Sequence, residues 1–130
     1  MAEDKTRIEY YFLSAFLYVT QGENEVKELL KEVELTVKSE LERANRVHPL
    51  FNSPHEAYAV IKEEAEEAEF ELKYANERLS EFWNSVKHDR YEIDMCDCLC
   101  AVKECAMNLA AEAIQVAAMA QKAIDSIEVE

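Results

Sequence analysis

Glutamates at positions 63, 64 and 67 form an E-E-x-x-E pattern, and a further one, Glu112, stands in an otherwise apolar, alanine-rich stretch. A lone charge among apolar neighbours is costly to bury, so Glu112 calls for company. Carboxylates that converge have two stable outcomes. They share protons at raised pKa, or they hold a hard divalent cation such as Mg²⁺ through oxygen ligands. Against both stands the plain alternative of solvated glutamates on an acidic helix, because E-E-x-x-E alone is common. Glu112 is the residue that brings the metal reading forward. The other uncommon polar residue of its stretch is Gln115.

The elements that position these groups follow from local signals. Ser53 is a helix cap, Pro54 suits the first helical position, and Glu56 stands where a capping box places it. From there a seam of Tyr58, Ile61, Ala65, Ala68, Leu72, Ala75, Leu79, Phe82 and Val86 alternates steps of three and four, a heptad stripe. It predicts one long helix over 54–87. A second seam, Leu99, Val102, Ala106, Leu109, Ala113, Val116, Ala120, Ile124 and Ile127, predicts another over 91–127. The turn between them is short, which predicts an antiparallel hairpin. A turn centred near 89–90 sets Glu67 level with Glu112 and Glu64 level with Gln115. On a helical wheel Glu64 lies about 50° from the seam centre, Glu71 about 70° and Glu67 about 110°, whereas Glu63 and Glu66 point about 150° away. Glu64, Glu67 and Glu71 therefore form the flank that can meet the next helix.

The remaining chain fits the same class. One glycine and two prolines in 130 residues leave room for a few long helices. Helices are predicted over 6–20 and 25–46, the latter with Val26, Leu30, Val33, Val37, Leu41 and Ala44 on one face. Residues 10–19 are apolar on nearly every face, which suits a subunit contact, and ten residues are too few to span a bilayer. Leu50 and Phe51 are placed as a plug under the long helix. The expectation is an all-α single domain over 1–130, an antiparallel bundle of about four helices with a long hairpin between the third and fourth, assembled as a homo-oligomer, dimer or tetramer.

A net charge of −14, from 14 basic and 28 acidic side chains, argues against nucleic acid and against anionic membrane surfaces as partners. A phosphate-bearing ligand requires a divalent cation to neutralise the site. Cys96, Cys98, Cys100 and Cys105 invite a zinc reading, but one straight helix cannot wrap four thiolates round a tetrahedral ion, so free thiols are expected. The polar N-terminus carries no signal-peptide pattern, and with the thiols it points to a reducing, cytoplasmic setting. Asp94 and Asp97 form a rival D-x-x-D, about 27 Å from Glu67 along the hairpin at 1.5 Å per residue, and suit the helix dipole. His55 reads as structural, and Tyr74, Phe82 and Trp83 as core or stacking groups. No serine, cysteine or histidine arrangement suggests nucleophilic catalysis.

The stretches 51–67, with S-P-H-E-A-Y-A-V-I-K-E-E, and 109–120, with E-A-I-Q-V-A-A-M-A, resemble the MazG-like branch of the all-α nucleoside triphosphate pyrophosphohydrolases, especially small proteins of Gram-positive bacteria and their phages. The family motif is E-E-x-x-E followed by E-x-x-D. Glu63, Glu64 and Glu67 match its first part and Glu112 its third glutamate, while Gln115 stands where the family has aspartate. The spacer between 67 and 112 is longer than the family's usual gap. The resemblance implies Mg²⁺ (or Mn²⁺) held by Glu64, Glu67, Glu112 and Gln115, with Glu63 as base and Lys62 or Lys73 on phosphates. It implies hydrolysis of a nucleoside triphosphate to the monophosphate and pyrophosphate. The amide at 115 keeps a second reading open: a non-catalytic helical assembly protein of phage origin that retains the fold without the metal.

Overall fold

The computed structural model describes residues 7, 9–15, 22–88 and 93–129. All regular structure among them is helical: α1 (9–15), α2 (Glu23–Val47), α3 (Pro54–Lys87) and α4 (Ile93–Val129). The bounds of α2, α3 and α4 fall within two residues of those expected from the seams. Residues 16–21, which include the end of the apolar N-terminal stretch, and the turn expected near 89–90 lie outside the described residues. Among the described residues no helix is long and apolar enough to cross a membrane.

The chain divides into two compact units, Met1–Thr36 and Val37–Glu130. In the first, α1 exposes Tyr10, Tyr11, Phe12 and Leu13, and the opening part of α2 exposes Val26, Leu29 and Leu30. Along α2 two local pairs are seen. The Lys31 ammonium pairs with Glu28 at 3.0 Å, and the Thr36 hydroxyl donates to the Glu32 carbonyl at 2.9 Å.

The second unit carries the carboxylates, and α3 is its spine. Ser53 is extended (φ −158°, ψ 159°) and its Oγ accepts the Glu56 N–H at 3.2 Å, the expected cap. The Glu56 carboxylate reaches back one residue further than a standard box, taking the Asn52 N–H at 2.8 Å. Phe51 tucks in as expected. Its N–H donates to Ser126 Oγ at 3.0 Å, and the buried Lys122 ammonium lies 4.9 Å above its ring. Leu50, the other half of the expected plug, is exposed.

α3 packs along α4. Phe51 meets Ser126, Glu64 meets Glu112, Glu71 meets Cys105, and Cys98 Sγ donates to Glu81 at 3.8 Å. Partner numbers fall along α4 as they rise along α3.

The side of each helix turned inward differs from the seam expected. Ile61, Ala68, Ala75 and Phe82 are sheltered, but Tyr58, Ala65, Leu72 and Leu79 are exposed. Their inward places go to Ala57, Glu64, Glu71 and Arg78. α4 is turned by the same single step. Val102, Leu109 and Val116 are sheltered, Leu99, Ala106, Ala113 and Ile127 are exposed, and Cys98, Cys105, Glu112, Met119 and Ser126 point in. The turned face pairs polar groups across the contact: Glu64 meets Glu112, Cys105 meets Glu71 and Cys98 meets Glu81, while Gln115 and Lys122 beside it reach Glu40 and the ring of Phe51. Each helix therefore contributes a column made mostly of polar or small residues to the contact.

Candidate metal centre

Glu64 and Glu67 are one turn apart on α3, and residues three apart share a helix face. Glu112 approaches them from α4. One carboxylate oxygen from each lies within 4.8 Å of the other two. Glu64 and Glu112 are half-buried and Glu67 is exposed. Among the described residues this is the one group of three or more His, Cys, Asp or Glu side chains that converges so closely.

The electrostatics follow from the packing. Burial raises the Glu64 carboxyl above its ordinary value, and the charges of Glu67 and Glu112, a hydrogen bond with Glu112 and the charge of Glu63 push it further. Among the described residues no lysine or arginine forms an ion pair with Glu64, Glu67 or Glu112. Three acidic groups thus gather with no internal cation to balance them. Such a donor set suits a small hard cation, whose charge would relieve the repulsion and whose preferred ligands are oxygens.

The surrounding residues divide sharply. Glu63, Glu66, Glu67, Phe70, Glu71 and Glu112 line an open cleft of about 440 Å³. Glu63 thus sits at the mouth of the cluster, although its wheel position pointed outward. Glu71, considered as a third ligand on the flank, instead hydrogen-bonds Cys105, whose thiol is pushed up first by burial and then by Glu71. Lys62 is held by Glu66 on its own helix at 2.8 Å. Lys73 lines a separate surface cleft with Glu69, Asn76 and Glu77, away from the carboxylates.

Gln115 is sheltered, and its amide Nε2 donates to Glu40 Oε1 at 2.8 Å. Glu40 also takes the Arg43 guanidinium, with Nε at 2.9 Å from Oε2. Arg43 first, offset in part by burial and aided by Gln115, holds the Glu40 carboxyl below its ordinary value. Sequence reasoning missed Glu40. The signal available was its place three residues after Val37 and four before Ala44, inside the apolar stripe of α2.

The rival acids do not converge. Asp94, Asp97, Glu81 and Glu104 share a cleft of about 600 Å³ with Tyr74 and Arg78 at the far end of the α3–α4 contact. There Arg78 donates to Glu81 at 2.7 Å and to the Tyr74 hydroxyl at 2.6 Å. The four cysteines are free; Cys96 and Cys100 are exposed, and Cys98 and Cys105 face glutamates of α3. The chain matches no protein-family model, no curated protein and no solved structure.

Proposed function

We propose that this chain is a MazG-like nucleotide pyrophosphohydrolase that cleaves a nucleoside triphosphate to the monophosphate and pyrophosphate with Mg²⁺ or Mn²⁺. The convergence of Glu64, Glu67 and Glu112 carries the reading. Glu64, Glu67, Glu112 and the carbonyl oxygen of Gln115 would hold the cation. When bound, that cation supplies charge neutralisation for the triphosphate and lowers the pKa of a bound water. Glu63, at the mouth of the cleft, takes the proton of the attacking water. The water oxygen bonds the α-phosphorus, and the bond from that phosphorus to the bridging oxygen breaks. Pyrophosphate leaves with the electron pair. Lys62 is reserved for Glu66 until a phosphate competes for it, and Lys73 has no part in this arrangement.

The same reading takes α3 and α4 as an antiparallel hairpin inside a homo-oligomer working in the cytoplasm. Helices running in opposite directions wind oppositely when viewed from one end. A one-residue rotation of both stripes therefore brings Tyr58, Leu72 and Leu79 of α3 and Leu99 and Ile127 of α4 to one side. All five are exposed, with Tyr58 67 % and Ile127 59 % accessible. A second copy covering this stripe removes it from water. That stripe also favours the alternative, a helical assembly protein without catalysis. Leu72→Lys with Leu79→Lys is expected to lower the mass in sedimentation to that of one chain; an unchanged mass would move the contact elsewhere.

The deciding experiment is pyrophosphate release from a panel of nucleoside triphosphates with Mg²⁺ or Mn²⁺, beside a thermal-shift titration of each metal. Turnover that requires the metal supports the enzyme. No turnover and no metal-dependent shift ends it and leaves the assembly protein.

A further inference from the structure

We propose that Glu40 is a positioning residue for the carboxylate site, orienting the side-chain amide of Gln115 so that its carbonyl oxygen serves the cluster. The inference rests on the metal reading of Glu64, Glu67 and Glu112. A glutamine offers a cation only its oxygen; turned end for end, it presents an NH₂ group that repels the ion. An aspartate at this position has two equivalent oxygens and needs no such control. The amide does, and the structure supplies it from another helix. Glu40 Oε1 lies 2.8 Å from Gln115 Nε2. An ionised carboxylate only accepts, so the nitrogen end alone can face it, and such charge-assisted bonds are about twice as strong as neutral ones.

Glu40 is itself held in place. Its side chain is 16 % exposed, and Arg43 pairs with both of its oxygens. With the nitrogen tied to Glu40, the oxygen end of the amide is turned from that carboxylate. Gln115 follows Glu112 by three residues on α4, and residues three apart are neighbours on a helix surface, which leaves that oxygen for the side on which Glu112 lies. Glu40 therefore couples α2, which carries none of the expected ligands, to the hairpin that carries them all.

The test is a Mn²⁺ titration followed by the paramagnetic resonance signal of the free ion, on the full chain, with far-ultraviolet circular dichroism on the same samples. Glu40→Met keeps volume and helix propensity but removes the acceptor. Glu40→Gln removes the charge and keeps an oxygen that accepts from Gln115. Both variants leave Arg43 without its ion pair, so they differ only in the acceptor. Glu40→Met is expected to weaken Mn²⁺ about tenfold, the lower end for losing a residue that orients a ligand. Glu40→Gln is expected to stay within about threefold of wild type, with helix content equal in all three. Wild-type affinity in Glu40→Met overturns the proposal, as does a loss in Glu40→Gln equal to that in Glu40→Met. A wild-type chain that binds no Mn²⁺ overturns the metal reading itself, so the two failures are distinct.

Discussion

Two acidic clefts sit along the α3–α4 contact, and only one gathers its carboxylates. At the Glu112 level, Glu64, Glu67 and Glu112 come within 4.8 Å of one another. Nearer residues 81–98, the larger cleft holds Glu81, Asp94, Asp97 and Glu104. The difference is Arg78. It occupies the inward column seven residues after Glu71, satisfies Glu81, and stacks over Tyr74 at 4.8 Å. No cation plays this part for Glu64, Glu67 and Glu112 among the described residues. Acid density is therefore a poor guide to a site, and unneutralised convergence a better one.

The largest expected effect tests the converging end. If the proposed function holds, Glu112→Ala is expected to reduce metal-dependent pyrophosphate release about 100-fold or more, because it would remove a proposed ligand. Asp97→Ala, its counterpart in the other cleft, should leave both turnover and Mn²⁺ affinity within about twofold, since a surface change away from the site acts weakly. Equal losses in both would erase the distinction between the clefts.

Next comes the pH dependence of Glu64. Its folded pKa lies above the unfolded value of 4.5. The stability it contributes is thus fully present below 4.5 and lost as pH rises through the folded value. Metal-free Glu64→Gln should melt a few degrees above wild type at pH 7, with the gap closing as pH falls toward 4.5. Mn²⁺ should raise the melting temperature of wild type but not of Glu64→Gln, and a gap that widens on acidification would contradict the sign.

Arg78→Ala sharpens the comparison from the other side. Freed of its cation, the far cleft is expected to acquire one weak Mn²⁺ site, seen as added low-affinity binding in calorimetry. Unchanged stoichiometry would show that convergence, and not neutralisation, is what that cleft lacks.

The smallest effect is local. Ser53→Ala should cost about 1 kcal/mol through the lost cap, a drop of about 4 °C in melting temperature. It should leave Mn²⁺ binding unaltered when measured well below the transition.

The sequence alone determined what is local. The Ser53 cap, the helical period and the scarcity of glycine and proline set α2, α3 and α4 to within two residues, because each depends on neighbours within one turn. The pairing of Glu67 with Glu112 was also within reach, since a short turn leaves few ways to lay one long helix on another. Tertiary structure decided which side of each helix faces inward. On α3 the column turned inward, Ala57, Glu64, Glu71 and Arg78, lies one residue before the apolar column that patterning favours, so patterning alone does not select it; the polar pairs formed across the contact do. That single step partly shelters Glu64, Glu71 and Arg78 and exposes Tyr58, Leu72 and Leu79. Glu40 also meets Gln115, 75 positions away, a partnership no local pattern encodes because the two residues come from helices far apart in the chain.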